Sequence, residues 1–96
     1  MYFTLLYDTA PDYLERRPSF RGEHLALARE AQRAGRLILA GAYNPPDGAL
    51  LVFRADSAVE VEAFARSDPY VKNGLVRSWR VREWTVVIGG DADMPR

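Results

Sequence analysis

The residues best suited to acid–base chemistry in this sequence are His24 and Asp68. His24 is the only histidine among 96 residues, and imidazole is the side chain whose unperturbed pKa lies closest to neutral pH. A carboxylate that hydrogen-bonds one ring nitrogen fixes the tautomer of the ring and stabilises the imidazolium formed when the ring takes a proton. If the fold brings the two residues together, they form a His–Asp pair for general acid or base catalysis.

Each member of this pair also has a purely structural interpretation. His24 falls on an apolar helical stripe, where a histidine is commonly a core residue with one satisfied ring nitrogen. Asp68 directly precedes Pro69, which is the pattern of a helix N-cap followed by proline at the first helical position. From the sequence alone, capping and catalysis are equally good explanations of Asp68.

Four further residues are predicted to bind substrate: Tyr7, Arg17, Gly41 and Tyr70. Tyr70 either closes a pocket or simply packs, and Arg17 either binds an anion or is only solvated. Gly41 either permits close backbone approach or relieves crowding in a sheet.

Other chemistries find little support in the sequence. One histidine and no cysteine make a zinc site improbable, and we predict neither a metal nor another cofactor. Glycine-rich phosphate loops of the GxGxxG or GxxxxGK[ST] type are absent from the sequence. A serine nucleophile served by His24 would have to be Ser67 or Ser78, and no nucleophile-elbow pattern surrounds either.

Composition narrows the setting in which the chain works. Lys plus Arg and Asp plus Glu each number 13, so the formal charge is zero, and neither nucleic acid nor an anionic membrane surface is an expected partner. The absence of cysteine suits a reducing compartment. The first eight residues lack the features of a signal peptide and no apolar run reaches the length of a membrane span, so we expect a cytoplasmic protein.

Apolar periodicity predicts four strands and two helices. The first helix is expected to begin at Ser19 as N-cap and to end at Gly35, because Pro18 should interrupt a short preceding turn at 12–15. The second helix begins at the capping box 57–60 and stops before Pro69. The predicted strands are 2–8, 37–43, 49–54 and 76–88, and Asp47 and Gly48 belong to the turn between the middle two. We predict one domain over 1–88 and a polar tail over 89–96.

The resulting β-α-β-β-α-β order predicts an α+β, ferredoxin-like sheet with both helices on one face. In this topology the start of the first helix, the end of the second helix and the ends of the first and second strands meet at one end of the domain. That end collects His24 and Asp68 together with Tyr7, Asp8, Arg17, Tyr70 and the Tyr43 end of the second strand.

The two middle strands are apolar at positions of both parities, 37–42 and 50–53. Strands with one face in water should instead alternate between apolar and polar residues. Because two helices cover only one face of the sheet, we expect a second copy of the chain to pack against the other face as a homodimer. A loop or the tail folded across that face is the alternative.

The combination of these motifs resembles the YCII-related family over about residues 1–88. The matching pieces are Tyr7-Asp8, an Arg-containing lead-in, His24, Ala40-Gly41, Asp47-Gly48, Asp68-Pro69-Tyr70 and Gly74-Leu75. The resemblance implies the ferredoxin-like fold, dimers of the α/β-barrel type and a pocket centred on His24 and Asp68. Many members have proline after the Ala-Gly pair, where this chain has Ala42. Dehydrochlorination of a chlorinated aromatic diol is the rare member reaction that has been assigned.

Two hypotheses about function follow. The first is a cofactor-independent lyase or hydrolase in which His24 acts as general base or acid, Asp68 orients it, and the substrate is a small polar or aromatic molecule. The second is a non-catalytic dimeric domain that binds a small anion or metabolite. A cofactorless oxygenase is a third option that rests on fold analogy alone.

Overall fold

The strands and helices follow the predicted order, with one short helix added. The computed structural model describes residues 1–90. Its elements are β1 (Tyr2–Thr9), α1 (Tyr13–Arg33), β2 (Leu37–Ala42), β3 (Gly48–Arg54), α2 (Ala58–Ser67), α3 (Pro69–Lys72) and β4 (Val76–Trp84). The division into a domain over 1–88 and a tail over 89–96 stays a prediction, and residues 91–96 of that tail lie outside the described residues.

The four strands form one antiparallel sheet in the order β2-β3-β1-β4. The first strand lies inside the sheet, where it pairs with β3 on one side and β4 on the other. Apolar residues of α1 and α2 join those of the sheet in a single core cluster. This arrangement is the ferredoxin-like α+β fold, and that prediction is confirmed.

The sheet has a face covered by the helices and an opposite face, here called the open face. Phe3, Leu5 and Tyr7 lie on the covered face and are at most 4% exposed. Residues between them in β1, and their partners in register, point to the open face. Among the described residues the open face carries Leu6, Leu39, Leu50, Val52, Arg80, Arg82 and Trp84. The second and third strands of the chain, β2 and β3, are therefore apolar on both faces, as the sequence indicates.

A β-bulge in β2 changes which residues share a face. Leu37 is opposite Phe53, whereas Leu39 is opposite Val52, so two residues of β2 advance the pairing by only one residue of β3. The extra residue, Ile38, switches the parity of the strand. Leu37 and Leu39 would share a face in a regular strand, but the bulge separates them: Leu37 is buried beneath the helices and Leu39 is 70% exposed on the open face.

The first helix has its N-cap at Asp12, seven residues before the predicted N-cap Ser19, and runs through Pro18. A proline inside a helix costs roughly 3 kcal/mol, because it removes one hydrogen bond and its ring crowds the preceding turn. Tertiary contacts offset this cost. Burial of the Tyr13 side chain, which is 6% exposed, contributes about 2–3 kcal/mol, and a 2.6 Å hydrogen bond from Arg16 to the Asn73 carbonyl contributes about 1 kcal/mol. The predicted N-cap, Ser19, is therefore an interior residue of α1.

The other helix boundaries agree with the local signals. After α1, Gly35 has φ +79° and donates to the Gln32 carbonyl, while Arg36 donates to Ala31, which is the Schellman pattern. At the start of α2, the Glu60 carboxylate accepts from the Ser57 backbone at 3.4 Å. Among residues 1–90, none of the helices combines the length and apolar character needed to cross a bilayer.

The last strand ends at Trp84, four residues short of its predicted end. Trp84 is opposite Tyr2, the first residue of β1. No residue of β1 remains to pair with 85–88, so these residues lie beyond the end of the sheet.

Candidate active site

Asp68 is the centre of a buried hydrogen-bond cluster. Its side chain has no exposed surface. The carboxylate accepts a 2.7 Å hydrogen bond from the Tyr7 hydroxyl and a 3.0 Å hydrogen bond from the Tyr70 backbone N–H. It also lies 2.9 Å from Nδ1 of His24. Three donors around one buried carboxylate compensate for the water that it lost on folding.

The local sequence explains why this carboxylate lies at the end of α2. Asp68 is the N-cap of α3, and Pro69 occupies the first helical position, where its missing N–H costs nothing. The backbone of Asp68 is extended, so its side chain turns back over the Tyr70 N–H. One oxygen thereby caps the helix while the carboxylate still reaches His24. The two interpretations of Asp68 are thus compatible, since the cap holds the carboxylate in place.

His24 belongs to α1 and is held from two sides. Its ring lies parallel to the Tyr70 ring, with centroids 3.9 Å apart and planes 7° apart. Because an ionised carboxylate only accepts, the proton of the neutral ring is on Nδ1 and the lone pair is on Nε2. No group within residues 1–90 hydrogen-bonds Nε2 of His24. In the same residues, every side-chain nitrogen and oxygen that is buried has a hydrogen-bond partner. Since Nε2 has no partner, it is not buried and is open to solvent.

Two tyrosines near the pair are kept protonated. Burial, reinforced by the charge of Asp68 and the hydrogen bond to it, raises the pKa of Tyr7 far above its ordinary value. Burial and the neighbouring Tyr13 raise the pKa of Tyr70, while Arg21 and Arg17 act in the opposite direction. Tyr7 therefore acts as a hydrogen-bond donor to Asp68 at neutral pH.

A cavity of about 210 Å³ opens beside His24 and is called the histidine cavity here. It lies between α1, α3 and the covered face of the sheet. Its lining residues are Tyr7, Thr9, Tyr13, Arg17, Arg21, His24, Leu25, Ala28, Ala40, Gly41, Ala42, Ala49, Leu51 and Tyr70. The four residues predicted to bind substrate all line this cavity, and Asp68 lies behind His24 and Tyr70 as a buried support.

Two other residues expected at this end of the domain, Asp8 and Tyr43, lie there but do not line the histidine cavity. They line a separate cavity of about 440 Å³ together with Ser78 and Arg80. Asp8 follows Tyr7 in a strand, so its side chain points to the open face, where it accepts a 3.0 Å hydrogen bond from the Ser78 hydroxyl. The topology predicted the correct end of the sheet for these residues but not the face.

Neither serine considered as a nucleophile lines the histidine cavity. Ser78 is hydrogen-bonded to Asp8 on the open face, and Ser67 lines a groove between the two long helices. Within residues 1–90 there is also no cluster of three or more histidine, cysteine, aspartate or glutamate side chains that could hold a metal ion.

A family model for the YCII-related domain matches residues 1–85 of this chain. The chain belongs to the YCII-related family. An uncharacterized protein of Haemophilus influenzae is 28% identical to this YCII-related chain over 85 residues, with 78% of this chain and 87% of that protein covered.

Solved structures confirm the fold of this YCII-related domain. One similar structure is the 5-chloro-2-hydroxyhydroquinone dehydrochlorinase TftG of Burkholderia phenoliruptrix AC1100, in complex with 2,5-dihydroxybenzoquinone. It has a TM-score of 0.76 at 24% sequence identity, and the match covers 88% of this chain and 94% of the TftG chain. An uncharacterized NIPSNAP domain protein of Burkholderia xenovorans has a TM-score of 0.52 at 14% identity, covering 94% of this chain and all of its own. At these identities the likeness concerns the fold, which is of the dimeric α/β-barrel type.

Sequence reasoning missed Arg21 and Tyr13 as cavity residues of this YCII-related domain. Arg21 lies four residues after Arg17 and three before His24, so the three share one face of α1. That spacing was a usable signal. Tyr13 was hidden because it was assigned to a turn before the helix, whereas its buried ring packs edge-on against Tyr70 at 5.8 Å.

Proposed function

We propose that this protein is a cofactor-independent enzyme in which His24 transfers a proton to or from a small polar or aromatic molecule. The observation that carries the proposal is the 2.9 Å contact between Nδ1 of His24 and the fully buried Asp68 carboxylate, combined with an Nε2 that is open to solvent. A fixed tautomer with an accessible lone pair is what general base catalysis requires. Asp68 acts as the positioning residue, because it touches His24 and lies behind the cavity.

The proton transfer uses the two sides of the imidazole differently. Nε2 takes a proton from the bound molecule, and the imidazolium that forms is stabilised by the carboxylate 2.9 Å from Nδ1. Tyr7 stays protonated and continues to donate to Asp68 throughout. Nε2 then returns the proton to the product or to water. A positioned acid–base group of this kind contributes roughly 10²–10⁴-fold to a rate.

The reaction class that we propose is a lyase, with a hydrolase as the variant of the same chemistry. The similarity to a dehydrochlorinase supports a lyase. Elimination of HCl removes one proton and one chloride ion and requires no electron acceptor, so one positioned base is sufficient for the proton. In a hydrolase, Nε2 would instead take the proton of an attacking water.

Chloride release from 5-chloro-2-hydroxyhydroquinone, followed without oxygen, tests the lyase. We expect His24→Gln and Asp68→Asn to lower kcat by about 10²–10⁴-fold while circular dichroism and the melting temperature show a folded protein. Asp8→Asn is the matched control, because Asp8 is a carboxylate at the same end of the sheet but on the open face. Wild-type turnover by folded His24→Gln protein would disprove the role of His24, and no chloride release by the wild type would remove the dehydrochlorinase assignment.

The second candidate, a non-catalytic binding domain, is favoured by Arg17 and Arg21 at the histidine cavity, because neither forms an ion pair within residues 1–90. Its signature is a ligand that raises the melting temperature and is recovered chemically unchanged. A screen of small acids and phenols by thermal shift, with the product mixture analysed by mass spectrometry, separates this candidate from an enzyme.

We also propose that the protein is a homodimer that packs open face against open face, and that it works in the cytoplasm. The exposed apolar side chains of the open face, with Leu39 at 70% and Trp84 at 48%, support the dimer. The similarity to a fold of the dimeric α/β-barrel type supports it as well. The cysteine-free sequence suits a reducing compartment.

A further inference from the structure

We propose that the ligand of the histidine cavity is a small oxyanion, a carboxylate or an acidic phenol, whose negative charge is held between Arg17 and Arg21. This inference rests on the proposed function, because it concerns the same cavity, and it names the chemical class of the substrate. Nε2 of His24 then faces the uncharged part of the same molecule.

The two guanidinium groups are arranged along one face of a single rigid helix. Arg17, Arg21 and His24 are spaced by four and three residues, and all three line the histidine cavity. The guanidinium carbon of Arg17 lies 5.7 Å from the centre of the Tyr13 ring, a contact that orients a planar cation. Arg21 is exposed and Arg17 is half-buried, so a ligand entering from solvent meets the arginines before it reaches the ring of His24.

Neither arginine has its charge neutralised by the protein. The lining of the histidine cavity contains no aspartate or glutamate. The ion pairs found within residues 1–90 are Arg16 with Asp12 and His24 with Asp68, and neither includes Arg17 or Arg21. Asp68 already accepts from three donors beneath the cavity. The accessible wall of the cavity is therefore positively charged, and a planar guanidinium matches a carboxylate or phenolate oxygen better than any neutral group.

The field of both arginines reaches the floor of the cavity. Arg21 and Arg17 oppose the effects of burial and of Tyr13 on the pKa of Tyr70, whose ring stacks on His24. An anion bound between the arginines would lie on the same face of α1 as the imidazole and in the same cavity. Arg21 and Arg17 precede His24 by roughly 4.5 and 10 Å along the helix axis.

The volume limits the size of the anion. At about 210 Å³, the histidine cavity is smaller than the roughly 300–1,000 Å³ typical of sites for drug-sized ligands. It suits a single ring or a short chain. The sheet side of the cavity, across from α1, includes the small apolar residues Ala40 and Ala49, which suit the face of a ring.

The test compares anionic and neutral probes of similar shape. Binding of benzoate, of benzamide and of 2,5-dihydroxybenzoquinone, a vinylogous acid that is anionic at neutral pH, is measured by calorimetry at low and high salt. We expect the wild type to bind the two anions in preference to benzamide and to lose this preference as salt rises. Replacing Arg17→Gln and Arg21→Gln together should weaken anion binding by about tenfold or more for each arginine.

The matched control is the double variant Arg29→Gln with Arg33→Gln. It removes the same charge from the exposed side of the same helix without touching the histidine cavity, and it should bind both anions as the wild type does. Binding of benzamide as tight as that of benzoate, no binding of either anion, or an unchanged preference in the Arg17/Arg21 variant would each overturn the inference.

These outcomes are separable from a failure of the proposed enzyme. His24→Gln should keep its preference for anions while losing turnover. If the wild-type protein binds anions but converts no substrate, catalysis is refuted and the anion site is still supported. If the protein turns over neutral molecules and the Arg17→Gln, Arg21→Gln double variant has an unchanged KM, the anion site is refuted and the proposed enzyme is still supported.

Discussion

Asp68 is a charged group with no exposed surface, and its neighbours explain how the fold tolerates it. An unpaired buried carboxylate would cost several kcal/mol. The hydroxyl of Tyr7, the ring N–H of His24 and the backbone N–H of Tyr70 each donate to it, and a hydrogen bond to a charged group is worth about 1.5–3 kcal/mol. The same donors fix the direction of the carboxylate, so the stability of this cluster and the tautomer of His24 have one cause.

Removing the Tyr7 hydroxyl should therefore destabilise the protein. We expect Tyr7→Phe to lower the free energy of unfolding by about 1–3 kcal/mol, because Asp68 loses a buried donor. The measurement is urea unfolding at pH 7. Tyr43→Phe is the control, since Tyr43 is 48% exposed and its change should stay within about 0.5 kcal/mol. Equal effects of the two substitutions would contradict the interpretation.

Alkaline pH provides a second test of Tyr7. Its pKa is raised in the folded protein, so above the ordinary tyrosine pKa of about 10 the unfolded chain loses a proton that the folded chain retains. Stability contributed by this group is complete below pH 10 and falls as the pH rises further, by about 1.4 kcal/mol per pH unit. Between pH 9 and pH 11, the free energy of unfolding should fall less steeply for Tyr7→Phe than for the wild type. Parallel curves for the two proteins would refute a buried, protonated Tyr7.

At the scale of elements, α1 carries the two arginines of the histidine cavity and the His24 ring that we propose transfers a proton. Arg17, Arg21 and His24 keep their relative positions because they belong to one continuous helix. Continuity through Pro18 also brings Tyr13 into the core and places it against Tyr70. A helix that started at Ser19 would leave Arg17 in a loop and the wall of the cavity incomplete.

Pro18→Ala discriminates between the two helix boundaries. In a continuous helix the new N–H completes a hydrogen bond to the carbonyl of Leu14, so we expect the free energy of unfolding to rise by about 1–3 kcal/mol. The loss of proline also makes the unfolded chain more flexible, which subtracts up to about 1 kcal/mol from this gain. Urea unfolding measures the change. Pro11→Ala, which lies before α1, should give no such gain, and a destabilised Pro18→Ala protein would favour a helix that begins at Ser19.

At the scale of the whole molecule, the open face is the surface that the monomer leaves uncovered. Its apolar side chains come mainly from β2 and β3, whereas β4 contributes Arg80 and Arg82. The histidine cavity lies on the other side of the sheet, between the sheet and the helices. A second copy packed on the open face would therefore cover apolar surface and leave the entrance past Arg17 and Arg21 free.

Leu39→Lys should turn the proposed dimer into a monomer. A lysine buried within the proposed interface would lose its hydration without gaining a partner, which is costly for a charged group. Light scattering after size-exclusion chromatography should give the dimer mass for the wild type and the monomer mass for Leu39→Lys. The control is Val59→Lys on α2, an apolar residue of similar exposure, 68% against 70%, on the helix side. A monomeric wild type would contradict the dimer.

The ferredoxin-like order was predictable because it depends on local signals. The alternation of strand and helix patterns, Gly35 and the box at Ser57 each describe a few neighbouring residues. The pairing of His24 with Asp68 was predictable from topology, since the order of the elements fixes which ends meet. The predicted residues Tyr7, Arg17, Gly41 and Tyr70 line the histidine cavity for the same reason, and their roles in binding stay predictions.

The sequence by itself determined the order of the elements, the family and the pair of residues at the shared end of the sheet. Only the tertiary structure decided that α1 runs through Pro18, that Ile38 forms a bulge and that β4 ends at Trp84. Each of these depends on a partner far away in the chain: Asn73 for α1, β3 for the bulge and Tyr2 for β4. Such contacts add energies comparable to local propensities, so a pattern read over a few neighbouring residues does not contain them.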